Sequence, residues 1–153
     1  LHDALPIYPS SLDNELQYER LMEKENRVVV RKGHPMEGAT SLKQLQHCDW
    51  TMPTPKGSYY RLLHDLFGDL GMAPSISVTC ETFMACTSLV AQSDFVSILS
   101  VDVISDPILG KHLVPLELEE SLPKATFYLI QRKDTTLTPM GAHLARLFRL
   151  YCR

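Results

Sequence analysis

The chain has 153 residues, 44% of them apolar and 22% charged, a balance that suits one globular domain or two small lobes. Its net charge is −3, and its adjacent basic pairs are Arg31-Lys32 and Arg132-Lys133. A nucleic-acid surface needs a basic stripe to meet phosphates, so these residues are not expected to hold DNA themselves. No apolar run approaches the ~20 residues that span a bilayer, so no membrane is expected. The opening Leu1-His2-Asp3-Ala4 lacks the basic start and apolar stretch of a secretory signal.

Residues 1–14 read as irregular, with Pro6, Pro9, Ser10, Asp13 and Asn14 supplying turn chemistry. The β-branched run Arg27-Val28-Val29-Val30-Arg31 predicts a strand, ended by Lys32-Gly33-His34-Pro35. A short helix follows at 41–45, where Ser41 and Gln44 have capping-box spacing. Residues 49–52 form a brief strand leading into the loop 53–57.

The clearest helix comes next. Tyr59, Leu62, Leu63, Leu66, Phe67 and Leu70 repeat at helical spacing, Gly71 suits a left-handed stop and Pro74 lies beyond. Residues 76–80 alternate as a strand, 81–92 read as a largely buried helix, and 95–99 as another strand. Further strands are expected at 113–118 and 125–131. A last helix starts at Thr138-Pro139, with Met140, Leu144, Leu147, Phe148 and Tyr151 as its inner stripe. This order predicts an α/β fold with a mostly parallel sheet flanked by helices.

Cys48, Cys80, Cys86 and Cys152 form no C-x-x-C pair and read as free thiols of a reducing cytoplasm. The histidines His2, His34, His47, His64, His112 and His143 are scattered without ligand spacing, so no metal is expected. His34 is assigned to a turn. No G-x-S-x-G, Walker loop or G-x-G-x-x-G occurs, and nothing argues for a cofactor or an enzyme.

Two junctions carry chemistry. At Thr54-Pro55-Lys56-Gly57-Ser58 a strand meets a helix start, whose free N–H groups and partial positive charge attract anions. Thr54 and Ser58 add hydroxyls and Lys56 a charge, while Pro55 removes one donor. The bland alternative is that Ser58 only caps the helix and Lys56 is solvated. At Glu81-Thr82-Phe83 either Glu81 or Thr82 caps the second helix, or Thr82 hydrogen-bonds a ligand beside an apolar wall formed by Phe83.

Residue for residue, the chain resembles the LysR-type transcription regulators from their first hinge onward. The resemblance is carried by Val28-Val29-Val30-Arg31-Lys32-Gly33-His34-Pro35-Met36 and by Ser41-Leu42-Lys43-Gln44-Leu45. It continues through Gly57, Leu66-Phe67, Gly71-Met72-Ala73-Pro74, Glu81, Leu89-Val90-Ala91 and Val114-Pro115-Leu116. It implies the two-lobed, type II periplasmic-binding-protein-like fold, with a partial first lobe at 1–25 and 126–153 and a complete second lobe at 26–125. It further implies that the winged helix-turn-helix, its linker helix and the early strands of the first lobe are absent from this stretch.

The same resemblance implies a small-molecule effector in the inter-lobe cleft, contacted around Thr54 and, across the pocket, at Thr82 and Phe83, with Tyr8 and Pro9 facing the same cleft. Hinges are implied near Glu25, Asn26, Ala125 and Thr126. It also implies promoter DNA bound through the missing domain, and a cytoplasmic homodimer that pairs into a tetramer. A solute-binding protein of a transport system, with the same fold, is the alternative reading.

Overall fold

The computed structural model describes residues 14–53 and 58–152, with Ser58 by its backbone alone. The expected site residues Tyr8, Pro9, Thr54, Lys56 and Gly57 lie outside those residues. The chain divides into two compact units, one of residues 1–24 and 125–153 and one of residues 25–124.

The larger unit is built on β2 (Asn26–Arg31), whose three valines are all fully buried. Side chains alternate across a strand, so a strand apolar at every position needs cover on both faces. Val28 and Val30 pack with Leu42, Leu45, Trp50, Met52, Leu63 and Phe67 on one side. Val29 packs with Val90, Leu99 and Leu113 on the other. In the larger cluster Trp50 and Phe67 meet edge to face, their ring centroids 5.6 Å apart, an arrangement worth about 1 kcal/mol beyond area burial.

Around β2 the sheet runs β5 (Ser97–Ser100), β2, β6 (Leu113–Pro115), with β2 antiparallel to both neighbours. Beside it, β3 (Asp49–Pro53) pairs in parallel with β4 (Ser75–Cys80). A parallel bridge from Trp50 to Val96 joins the two sets, with Thr51 N donating to Val96 O at 2.9 Å. The expected mostly parallel sheet is therefore mixed. Strands β3 to β5 follow one another through helical crossovers and share a direction, as does β6, whereas β2 enters against them.

Helix α1 (Ser58–Asp69) buries Leu63 and Phe67 and ends in a paired closure at Gly71, whose φ is +68°. Met72 N donates to Phe67 O and Gly71 N to Gly68 O, both at 2.9 Å, the Schellman pattern that absorbs the last carbonyls. Helix α2 (Phe83–Gln92) buries only Cys86, Thr87 and Val90. The expected largely buried helix is instead half in solvent, because Ala85, Ser88 and Met84 face outward. The predicted 41–45 helix is a 3-10 turn, Leu42–Leu45, with Gln44 Oε1 accepting from Ser41 N at 3.2 Å. A five-residue α3 (Val101–Ser105) had no counterpart among the expected elements.

The smaller unit pairs β1 (Leu16–Lys24) with β7 (Ala125–Arg132) in antiparallel register and adds α4 (Pro139–Tyr151). Thr138 caps α4 by accepting from Gly141 N at 3.1 Å, the hydroxyl-then-proline start expected there. Arg149 grips Glu19 with two nitrogens, each 2.8 Å from a carboxylate oxygen, and holds that carboxyl below its ordinary range. Of the expected inner stripe of α4, Leu147 alone is half-buried. Met140 is 76% and Tyr151 78% exposed, Leu144 and Phe148 are exposed too, and Ala145 is the buried apolar residue. The small side chains Gly141 and Ala145 repeat four apart and form the more covered line of the helix.

Candidate functional site

Parallel pairing of β3 with β4 decides the geometry. Met52 stands opposite Thr79 and Pro53 opposite Cys80, so both strands end at one edge and both following helices start there. In open α/β sheets such carboxyl ends are where ligands are received. Helix starts leave N–H groups unpaired and carry partial positive charge, so two side by side suit a ligand with an anionic or strongly polar group. The residues joining β3 to α1 carry Thr54, Lys56 and Gly57, outside the described residues.

At the second junction Thr82 is the N-cap of α2, and its Oγ1 accepts from Ala85 N at 3.1 Å. Of the two capping candidates it is thus Thr82, not Glu81, that closes the helix. The cap uses a lone pair and leaves the hydroxyl proton free to donate. Glu81 and Thr82 are exposed, and Phe83 is 39% exposed. Phe83 also meets Tyr59 of the first turn of α1 edge to face, with centroids 5.7 Å apart at 78°. The pair ties the two helix starts together. Tyr59 also packs against the core, as its place in the apolar stripe of α1 predicts, and its position in the first turn is the signal that could have marked its contact with Phe83.

Below the junctions lies a buried floor of neutral polar groups. Ser97 Oγ donates to Thr51 O at 2.7 Å, Cys86 Sγ lies 3.4 Å from Ser97 Oγ, and Cys80 Sγ lies 3.6 Å from Thr51 Oγ1. Burial pushes the Cys86 thiol up, with Asp/Glu carboxylates playing no part in the shift. A thiol whose pKa is raised by burial is a poor nucleophile, and Cys86 packs here as a small buried side chain. Among the described residues no group of three His, Cys, Asp or Glu is placed to hold a metal.

The residues expected at the hinges flank the division of the chain. In the larger unit Glu25 bridges Arg27 at 3.5 Å and Lys124 at 3.4 Å, and its carbonyl accepts from Val101 N at 2.9 Å. Asn26 is buried, its Nδ2 donating to Pro123 O at 3.2 Å and its Oδ1 accepting from Tyr59 OH at 3.2 Å. In the smaller unit Ala125 and Thr126 open β7, opposite Lys24 and Glu23.

Comparison with known proteins adds the following. The family model described as LysR substrate binding domain matches residues 2–153. A protein of Pseudomonas sp. (strain ATCC 19151), the SDS degradation transcriptional activation protein, is 26% identical over 147 residues. That match covers 91% of this chain and 48% of the relative, so the chain spans about half the relative's length. Among solved structures, the effector binding domain of QuiR in complex with shikimate superposes with a TM-score of 0.75 at 20% identity, covering 94% of this chain and 69% of that one. The Synechocystis PCC6803 CcmR regulatory domain in complex with 2-PG gives 0.79 at 15% identity, covering 97% and 72%. At these identities the likeness is one of fold, the α/β type II periplasmic-binding-like fold.

Proposed function

This chain belongs to the LysR substrate-binding domain family, and from that premise we propose that it is the effector-sensing region of a LysR-type transcription regulator. The observation that carries the reading is the parallel β3–β4 pairing, which sets two helix starts, that of α1 and the Thr82-capped start of α2, at one edge. The effector is a small molecule with an anionic group. Thr54, Lys56, Gly57 and Ser58 cradle that group, Thr82 donates a hydrogen bond, and Phe83 with Tyr59 supplies an apolar side. Tyr8 and Pro9 complete the cleft that the family resemblance implies. Shikimate, held by the QuiR domain, is a small carboxylate of this kind.

The region is read as one that binds a ligand, in keeping with the substrate-binding-domain family it belongs to. Effector binding favours one conformation by differential contacts, with bending at Glu25, Asn26, Ala125 and Thr126. That change is passed to winged helix-turn-helix domains on promoter DNA in a cytoplasmic homodimer or tetramer. No helix among the described residues is long and apolar enough to cross a membrane.

A thermal-shift screen of small carboxylates, phosphate and sulfate tests the reading. Anything that binds the native state alone raises stability by RT ln(1 + [L]/Kd), about 2.7 kcal/mol at a hundredfold excess over Kd. A carboxylate should raise Tm in the wild type and lose that effect in Lys56→Ala and Thr82→Val. Ligands that stabilise all three proteins equally would place binding elsewhere.

A further inference from the structure

Four residues link the two helix starts to both ends of the larger unit. The Phe83 ring rests edge to face on the Tyr59 ring, centroids 5.7 Å apart. The Tyr59 hydroxyl donates to Asn26 Oδ1, and Asn26 Nδ2 donates to Pro123 O, each at 3.2 Å. Asn26 is the second residue of this unit and Pro123 its last but one. The carboxylate of Glu25 reaches Lys124 at 3.4 Å, so entry and exit are fastened twice.

Asn26 is 2% exposed, and a primary amide at that depth is costly unless both of its ends are satisfied. Here both are, one by α1 and one by the segment that precedes β7. Its orientation follows from its partners, since the oxygen must face the phenol donor and the nitrogen the carbonyl. The amide cannot follow a shift of Tyr59 without straining or releasing its bond to Pro123. Leucine or serine at position 26 would pack or bond on one side only.

We propose that Tyr59 and Asn26 are positioning residues that transmit the state of the first turns of α1 and α2 to the two points where the chain enters and leaves the larger unit. The inference deepens the effector-sensing reading and rests on it for its purpose, though the tie itself is a property of the ligand-free chain. A ligand that moves Phe83 or the first turn of α1 acts on the Tyr59 hydroxyl, and through Asn26 on the Pro123 carbonyl. Both crossings then respond together, because both end on the same amide.

Proton–nitrogen NMR on the 153-residue chain tests this through the Asn26 side-chain amide and the Lys124 backbone amide. Tyr59→Phe keeps the ring and removes the donor. It should speed exchange of the Asn26 side-chain protons about fivefold, the loss of one neutral hydrogen bond, and shift the Lys124 resonance while β4 resonances stay in place. Phe83→Ala, at an exposed position, should shift Lys124 in the wild type and leave it unmoved in Tyr59→Phe, the non-additivity expected of one connected network. Lys124 and Asn26 signals indifferent to Tyr59→Phe, or a Phe83→Ala effect equal in both backgrounds, would overturn the tie. Sulfate added to the same samples separates the two ideas. If it shifts the amides of Tyr59 and Phe83, it should carry Lys124 with them only when the hydroxyl is present. If it moves neither junction, the anion-binding reading fails while the tie is judged on the ligand-free spectra.

Discussion

Met36 N donates to His34 Nδ1 at 2.9 Å, which makes Nδ1 the acceptor and puts the ring proton on Nε2, 3.0 Å from Asp94 O. The imidazole bridges the turn after β2 to the residues just beyond α2, at 6% exposure. Asp94 is held a second time by Arg31, whose Nε donates to its carboxylate at 2.9 Å. His34→Ala would leave a part-buried N–H and carbonyl without partners, a loss of about 1–3 kcal/mol. His34→Asn should recover part of it, because an asparagine oxygen can accept from the N–H two residues on. Urea denaturation of the three proteins measures this, and equal midpoints would show that the bridge contributes nothing. The Gly-His-Pro stretch that helped place the chain in its family is here a structural staple, as its assignment to a turn anticipated.

At the scale of elements, two glycines with opposite surroundings make a paired test. Gly110 lies after α3, where its N donates to Asp106 O at 2.8 Å, and a Cβ there would stand 1.8 Å from Ile104 O. That contact is with backbone, so no rotamer relieves it and α3 must move. Asp106, whose carboxylate accepts from Ile108 N and Leu109 N and is held below its ordinary range by them, fixes the same loop. Gly110→Ala should cost about 1–3 kcal/mol, as overpacking does. Gly68→Ala, on the exposed side of α1 with nothing within 4 Å, should instead add about 0.5–1 kcal/mol through helix propensity. Thermal unfolding would show the two variants on opposite sides of the wild type, and a tolerated Gly110→Ala would mean that α3 shifts freely.

The contrast also explains which elements were legible beforehand. Helix α1 announced itself by six apolar residues at one spacing, a stop glycine and a proline, and β2 by its valines. Helix α3 is one turn set by packing against β5 and the Asp106 loop, with no periodicity of its own. Strand β1 was missed because Glu19, Arg20, Glu23 and Lys24 hide its alternation, and a bulge between Arg20 and Met22 breaks the period. At the site, hydroxyls and lysine next to helix starts could be read from the order of residues. The side-by-side placement of the two starts comes from parallel pairing, and the Tyr59–Asn26–Pro123 link from contacts as distant as 97 positions; local patterns contain neither.

For the whole molecule, the two units differ in what holds them. Every buried apolar side chain of the described residues lies between Val28 and Leu116 except Ala145. Among its described residues the smaller unit has the β1–β7 ladder, the Glu19–Arg149 pair and a side-chain bond from Gln131 Nε2 to Gln17 Oε1 at 3.0 Å. Exposed ion pairs contribute little, and a two-stranded ribbon is marginal without an apolar face covered. Phe127, Tyr128, Met140, Leu144, Phe148 and Tyr151 are instead all open to solvent in this chain. Local opening should therefore be much easier there. In native-state hydrogen exchange, amides paired between β1 and β7 should exchange at least about a hundredfold faster than those of Val28, Val29 and Ile98, a gap of a few kcal/mol in opening free energy. Comparable protection in the two units would mean that they open as one cooperative body, and that the apolar side chains of α4 and β7 have found cover in solution.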